Sequence, residues 1–369
     1  MQKRADMMPF TLFLLALFVG SAVWAQEKPS LSWNEIVSSA KKEGKVVVIN
    51  NPDPVMRREI VPKFTARFGI AVEFIAGRSS EITTRVQTER ASGVYSVDVF
   101  MTGIDTKATL LYPEKMIDPL KPMLTLADVV EPSKWKTGKL WFVDPEEKYV
   151  LRVFNSVDHL LFINVANVNP VEFRSAKDLL NPKWRGKIGA DDPTVIGSGA
   201  SVAARFYAQL GEEFIRKLYV DQKPGFTRDR RLINDWLARG TYPVCLNCDA
   251  EEVRSFKKDG FDILEIFELS GIRPTIGGSP WHLSVANKAP HPNATRVFVN
   301  WLLSKEAMEI YSRGYGAATL RTDVDESFLN PQTIPKRGVD YFDQHDWKWA
   351  LTGRIEARER VGKILRSAK

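Results

Sequence analysis

The chain has 369 residues, 44% of them hydrophobic and 26% charged, which suits a globular chain large enough for two cores. Lys and Arg total 52 against 45 Asp and Glu, a net +7 spread along the chain with no long basic block. That spread argues against a nucleic-acid surface and leaves a mild bias towards anionic solutes.

The first twenty-five residues differ from the rest. Lys3 and Arg4 precede the apolar run Phe10–Val19, and Ser21–Ala25 (SAVWA) supplies small residues at a cleavage point. This pattern predicts a secretory signal peptide over residues 1–25, cut after Ala25, and hence export to the periplasm. The apolar run is about half the ~20 residues that span a bilayer. No second long apolar run follows, and no cysteine near the cut suggests a lipid anchor. The leader's Lys3, Arg4 and Asp6 carry +1, which leaves +6 on the mature chain.

Ser32-Trp33-Asn34-Glu35 predicts a capped helix to Glu43. Lys45–Asn50 (KVVVIN) is a buried strand by its β-branched run, and Asn50–Pro54 is a polar turn. A helix pattern covers Val55–Phe68, with a kink or a late start expected at Pro62. Ile70–Ala76 is the next strand. Gly77-Arg78-Ser79-Ser80 turns into a helix over Glu81–Ala91, then Tyr95–Thr102 is a strand ending at Gly103. Three strand–helix units at short spacing predict an α/β layer with a mostly parallel sheet, whose ligand-binding turns gather at one edge.

Tyr112–Glu147 reads as surface connection, and Tyr149–Phe154 and His159–Asn164 as strands. The short strand Lys187–Ala190 leads into DDPTVIGSGASVAARF at Asp191–Phe206, a small-residue turn opening a helix over Ala203–Leu210. Such a helix start offers free N–H groups and positive dipole to an anion. A second helix spans Glu212–Val220, and Asp229 caps another that runs to Arg239. The strand Tyr242–Asn247, the helix Asp249–Asp259 and the strand Ile263–Phe267 repeat the α/β rhythm. Gly277–Ala286 is a strand, Asn293–Leu303 and Lys305–Arg313 are helices, and Trp347–Ser367 is a charged helical tail. Its Arg354, Arg358, Arg360 and Arg366 are expected mostly in solvent.

Two lobes of this kind predict a cleft lined by Asn51, Arg78, Ser79, Ser80, Thr102 and Gly103 from the first. Ser198, Gly199, Ser201, Asn247 and Asp249 would face them from the second. Arg78 is the sharpest candidate, since a guanidinium grips a carboxylate or phosphate with two parallel hydrogen bonds. Asp249 has a plain alternative as a helix cap, and Trp281 is weighed between stacking on a ligand and core packing. Cys245 and Cys248, the only cysteines, leave a disulfide, two buried thiols or a reactive role open. The histidines His159, His282, His291 and His345 lack metal-type spacing.

The ordered segments KVVVIN, FGIAVEFIAGRSSEITTRVQTE, SVDVFMTG, LLYPEKMIDPLKP, LLFINVANV, DLLNPKWRGKIG, FVNWLLSKEAMEIY and GYGAATLRTDV resemble exported solute-binding proteins of ABC importers. The branch with ferric-ion-binding proteins is the nearest. The resemblance covers the mature chain to about Asp323 and implies an α/β, two-lobed periplasmic-binding-protein-like fold of type II. Each lobe is then a mostly parallel sheet flanked by helices, with the ligand cleft between. Lobe one would comprise residues 29–154 and 275–330, lobe two 155–274, and a C-terminal helical segment 331–369. A monomer delivering a small-molecule solute to a membrane permease is implied, with no catalytic residue and no cofactor.

Iron-binding members of that branch carry two consecutive tyrosines, and this chain has no Tyr-Tyr pair. A histidine often found after the first strand is replaced by Asn50-Asn51-Pro52-Asp53. Asp53, Glu81 and Asp249 remain as oxygen donors for a hard cation, but the phenolates that ferric iron prefers are missing. A third reading follows enzymes that resemble this fold, such as thiamin-degrading ones, with Cys248 as nucleophile and Asp249 or Glu251 as base.

Overall fold

A computed structural model describes residues 31–367 apart from 78, 196 and 278–280, and the side chains of 79–81 are outside the description. The leader at 1–25 and Arg78 therefore lie outside the described residues.

The larger sheet has seven strands. Ala71–Ala76, Lys45–Asn50 and Val99–Thr102 run parallel, in register through Val48 with Phe74 and Val99. Val46 to Asn50 are all buried, as a central strand covered on both faces requires. His282–Ala286 then joins Val99–Thr102 antiparallel, with His282 opposite Thr102. Leu151–Arg152, Trp141–Phe142 and Ile117–Asp118 extend the sheet beyond it.

Pro62 shapes the helix below this sheet. The chain winds as a π-helix over Met56–Ile60, and the α-helix runs Val61–Phe68 with Pro62 in its first turn. There a missing N–H costs nothing, so the late start wins over a kink. Phe64 of that helix packs on Phe298 and Trp301 of the Pro292–Leu302 helix, at ring separations of 5.1 and 5.4 Å.

The second sheet orders Gly225–Thr227, Ile188–Asp191, Val244–Cys245, Leu161–Asn164 and Ile263–Ile266. Its first three strands are parallel and the last two join antiparallel. The helix over Ser198–Arg216 breaks at Gly211, whose φ of 80° divides it into the two stretches expected. The expected strand Tyr149–Phe154 shrinks to Leu151–Arg152, and of the expected strand Gly277–Ala286 the part His282–Ala286 is present, with 278–280 outside the described residues.

A third, three-stranded sheet joins the two. Val157–Asp158, where the chain leaves the first sheet, pairs antiparallel with Thr275–Ile276, where it returns. Phe342–Asp343 from the C-terminal segment adds beside Thr275–Ile276 in parallel. The chain then forms the Arg354–Ser367 helix, which buries Val361, Ile364 and Leu365 in the second sheet's core. Among the described residues no helix is long and apolar enough to cross a membrane.

Candidate ligand-binding cleft

The turn after Ile188–Asp191 is built around one carboxylate. Asp191 Oδ2 accepts from the Ser198 hydroxyl at 2.5 Å and from the Gly199 N–H at 3.0 Å, with Asn247 Nδ2 at 3.4 Å. A Cβ at Gly199 would fall 2.4 Å from the Asp191 carbonyl oxygen, so only glycine permits this approach. The helix start expected to receive an external anion thus holds an internal one. Ser198, Gly199 and Asn247 converge on Asp191.

A cavity of about 370 Å³ opens next to that helix. Ser198, Ser201, Val202 and Arg205, on one helix face at three- and four-residue spacing, form one side. Asn247, Cys248 and Asp249 contribute a rim with Arg230, while Asp158 and His159 come from the hinge strand and its exit. Gln344, His345 and Arg354 of the C-terminal segment close the remaining side.

Arg205 is the outstanding group there. It is 4% exposed, its Nε has no hydrogen-bond partner, and its nearest acidic oxygen, on Asp158, lies 3.9 Å away. Burial pulls its pKa down against the pull of Asp158, yet a guanidinium stays charged at working pH. A buried charge without close acceptors is costly unless something supplies them. Asp158 also accepts from Gln344 Nε2. Asp249 spends Oδ1 on the Glu251 and Glu252 N–H groups, as the helix cap of its plain alternative, with Arg230 at 3.7 Å.

Two histidines meet at this wall. His282 is fully buried, both its ring nitrogens lack partners, and its ring is 4.8 Å from that of His345, whose Nδ1 is also unpartnered. Burial, reinforced by neighbouring cationic groups, drives both well below the ordinary histidine range. Thr102, opposite His282 in register, is buried with an unpartnered Oγ1.

The first-lobe turns fare differently. Asn51 is half-buried and its N–H donates to Asn50 Oδ1 at 2.8 Å. Gly103 precedes the short helical turn Ile104–Thr106 in an extended conformation with room for a side chain. Ser79 and Ser80 open the Ser79–Ala91 helix. None of Asn51, Thr102 and Gly103 lines the cavity, whereas Gln344, His345 and Arg354 do. Trp281 takes the core-packing alternative: it is fully buried, with its ring 5.3 Å from Phe154 and 5.2 Å from Tyr311.

Cys245 and Cys248 are joined in a disulfide, leaving no free cysteine, so a cleft thiolate nucleophile is not at hand. Arg354 and Arg358 correct a further expectation. Arg354 is 8% exposed and bonded to Asp105, and Arg358 donates to Ser201 Oγ at 2.5 Å. Of the oxygen donors considered for iron, Asp53 is buried and accepts from Met56 N–H at 2.8 Å and Asn50 Nδ2 at 2.9 Å. Tyr311 and Tyr315 stack beside it at 5.8 Å, and burial together with the Asp53 charge raises both phenols.

Two sheets joined by crossover strands, with a polar cavity at their junction, define the two-lobed type II periplasmic binding proteins. Solved structures of that fold match nearly end to end. The Trichodesmium iron protein (IdiA, FutA) in complex with iron and citrate is 17% identical, with a TM-score of 0.63 over 87% of this chain and 99% of that one. AfuA from Actinobacillus pleuropneumoniae with fructose-6-phosphate bound is 18% identical, with a TM-score of 0.61 over 87% and 97%. Iron uptake protein A1 of Synechocystis is 25% identical over 130 residues, 35% of this chain and 32% of that protein, so the match spans about a third of its length. An uncharacterized Haemophilus influenzae protein is 22% identical over 287 residues, 74% of this chain and 77% of its own.

Residues 59–334 match the family described as bacterial extracellular solute-binding protein. The chain belongs to that family of solute-binding proteins.

Proposed function

We propose that this protein captures a small organic anion in the Arg205 cleft and delivers it to the membrane permease of an ABC importer. The observation that carries the reading is Arg205 itself: a buried, charged side chain facing a cavity, with an unpartnered Nε and no acid closer than 3.9 Å. A carboxylate or phosphate on the ligand would supply the missing acceptors. Ser201, Asn247 and Asp249 would orient the rest of the molecule, and lobe movement about the Val157–Asp158 and Thr275–Ile276 strands would admit and enclose it.

Two relatives hold organic anions, citrate with iron in one and a sugar phosphate in the other, which supports the same class of cargo here. Export through a leader cut after Ala25, action as a monomer, and a lobe division near residues 155 and 275 complete the proposal. Native mass spectrometry of protein purified from the periplasm tests it. An adduct of a small organic acid or phosphate ester, lost in the Arg205→Gln variant, is the expected result. An adduct that survives this substitution unchanged contradicts it.

A further inference from the structure

We propose that the C-terminal segment, beyond the family match, completes the ligand site through Arg354 and makes it selective for a doubly charged anion. This rests on the reading of the Arg205 cleft as the solute site.

The segment is fixed at the hinge before it reaches the cavity. Phe342–Asp343 pairs with the returning crossover strand, and Asp343 forms an ion pair with the buried Arg152 at 2.7 Å. Gln344 N–H donates to Ile276 O at 3.0 Å. From that anchor His345 faces the cavity; a π-helical turn over Trp349–Gly353 then leads into the α-helix at Arg354, which faces it too. The helix is held by its own apolar face in the second sheet's core, so Arg354 is placed by packing on both sides.

The charges on this wall do not cancel locally. Asp105 is shared by two guanidiniums, bonded to Arg354 and 3.6 Å from Arg358. Arg354 uses Nη1 on Asp105 and Nη2 on the Gln344 carbonyl, out of five donors. Arg205 has Asp158 as its acidic neighbour only at 3.9 Å, beyond hydrogen-bond distance. Two forked cations therefore face a cavity of about 370 Å³, at the small end of the range for ligand sites. Two negative charges on a compact solute, as in a dicarboxylate or a phosphate monoester, match that pair. His345 lines the same cavity beside them.

Affinities of the full mature chain for malonate, glycerol 3-phosphate and acetate test this by calorimetry. The wild type should prefer one of the two dianions over acetate by about tenfold or more, the arms separating dicarboxylate from phosphate. Arg354→Gln should reduce that preference to about twofold, and Arg354→Lys should restore part of it. Asp105→Asn should strengthen dianion binding, because it frees Arg354 from a competing carboxylate. If Arg354→Gln and Asp105→Asn instead weaken binding alike, Arg354 is only a structural tie and the proposal fails. An unchanged preference in Arg354→Gln, with binding still lost in Arg205→Gln, overturns this inference and spares the cleft. Binding of no anion by the wild type overturns both.

Discussion

The carboxylate of Asp191 sits on the N-terminus of the Ser198–Arg216 helix, its Oδ2 3.0 Å from the Gly199 nitrogen. It neutralises the positive end of that helix and leaves the anion-binding role to Arg205, about two turns further along the same face as Ser198. Asp191→Ala should therefore cost about 1–2 kcal/mol, as loss of a helix cap does. Gly199→Ala should cost at least as much, about 1–3 kcal/mol, because its Cβ meets the backbone of Asp191. Urea denaturation of both variants checks the pair.

The Cys245–Cys248 bridge closes a very short loop. Chain entropy for such a loop is worth about 2 kcal/mol. The double Cys→Ala variant should thus fold, melt a few degrees lower, and weaken ligand binding, since Cys248 lines the cavity. Differential scanning calorimetry with and without reductant measures the first effect.

Acid should destabilise the protein through its buried histidines. His282 is depressed in the folded state, so below its unfolded pKa of about 6.5 the unfolded chain binds the extra proton. Stability from this source is complete above that pH and is lost as the pH falls towards the folded value, by about 1.4 kcal/mol per pH unit. His282→Gln should flatten the pH dependence of urea midpoints between about pH 6 and pH 4 by that one proton.

Ferric citrate should give no tyrosinate charge-transfer colour with the purified protein. Tyr311 and Tyr315 are the paired phenols at hand, and burial beside Asp53 holds them protonated. Asp53 itself is raised by burial and already bonded by its own turn. Visible absorbance during an iron titration decides the matter.

Much of the scaffold is legible from residue pattern alone. The β-branched KVVVIN run, the placement of Pro62 and the break at Gly211 each have a local physical cause, and each appears in place. Arg205 was also within reach, because it follows Ser198 and Ser201 along one helical face. Arg354 was not. The tail's alternating charges match a solvated helix, and only the long-range pairing of Phe342–Asp343 with Thr275–Ile276 carries it into the cleft. Asn51, Thr102 and Gly103 are absent from the cavity wall, part of which comes from Gln344, His345 and Arg354, more than two hundred residues further along the chain. Asp191 shows the converse case, in which a turn composed to hold an anion holds one from its own strand.

The most direct test is a thermal-shift titration of mature wild-type protein and Arg205→Gln, both refolded free of carried-over solute, against organic acids and phosphate esters. A ligand at about a hundred times its dissociation constant adds about 2.7 kcal/mol, a clear rise in melting temperature. A rise for one small organic anion in the wild type, absent in Arg205→Gln, is the predicted result. An equal rise in both proteins would contradict the claim that Arg205 binds the cargo.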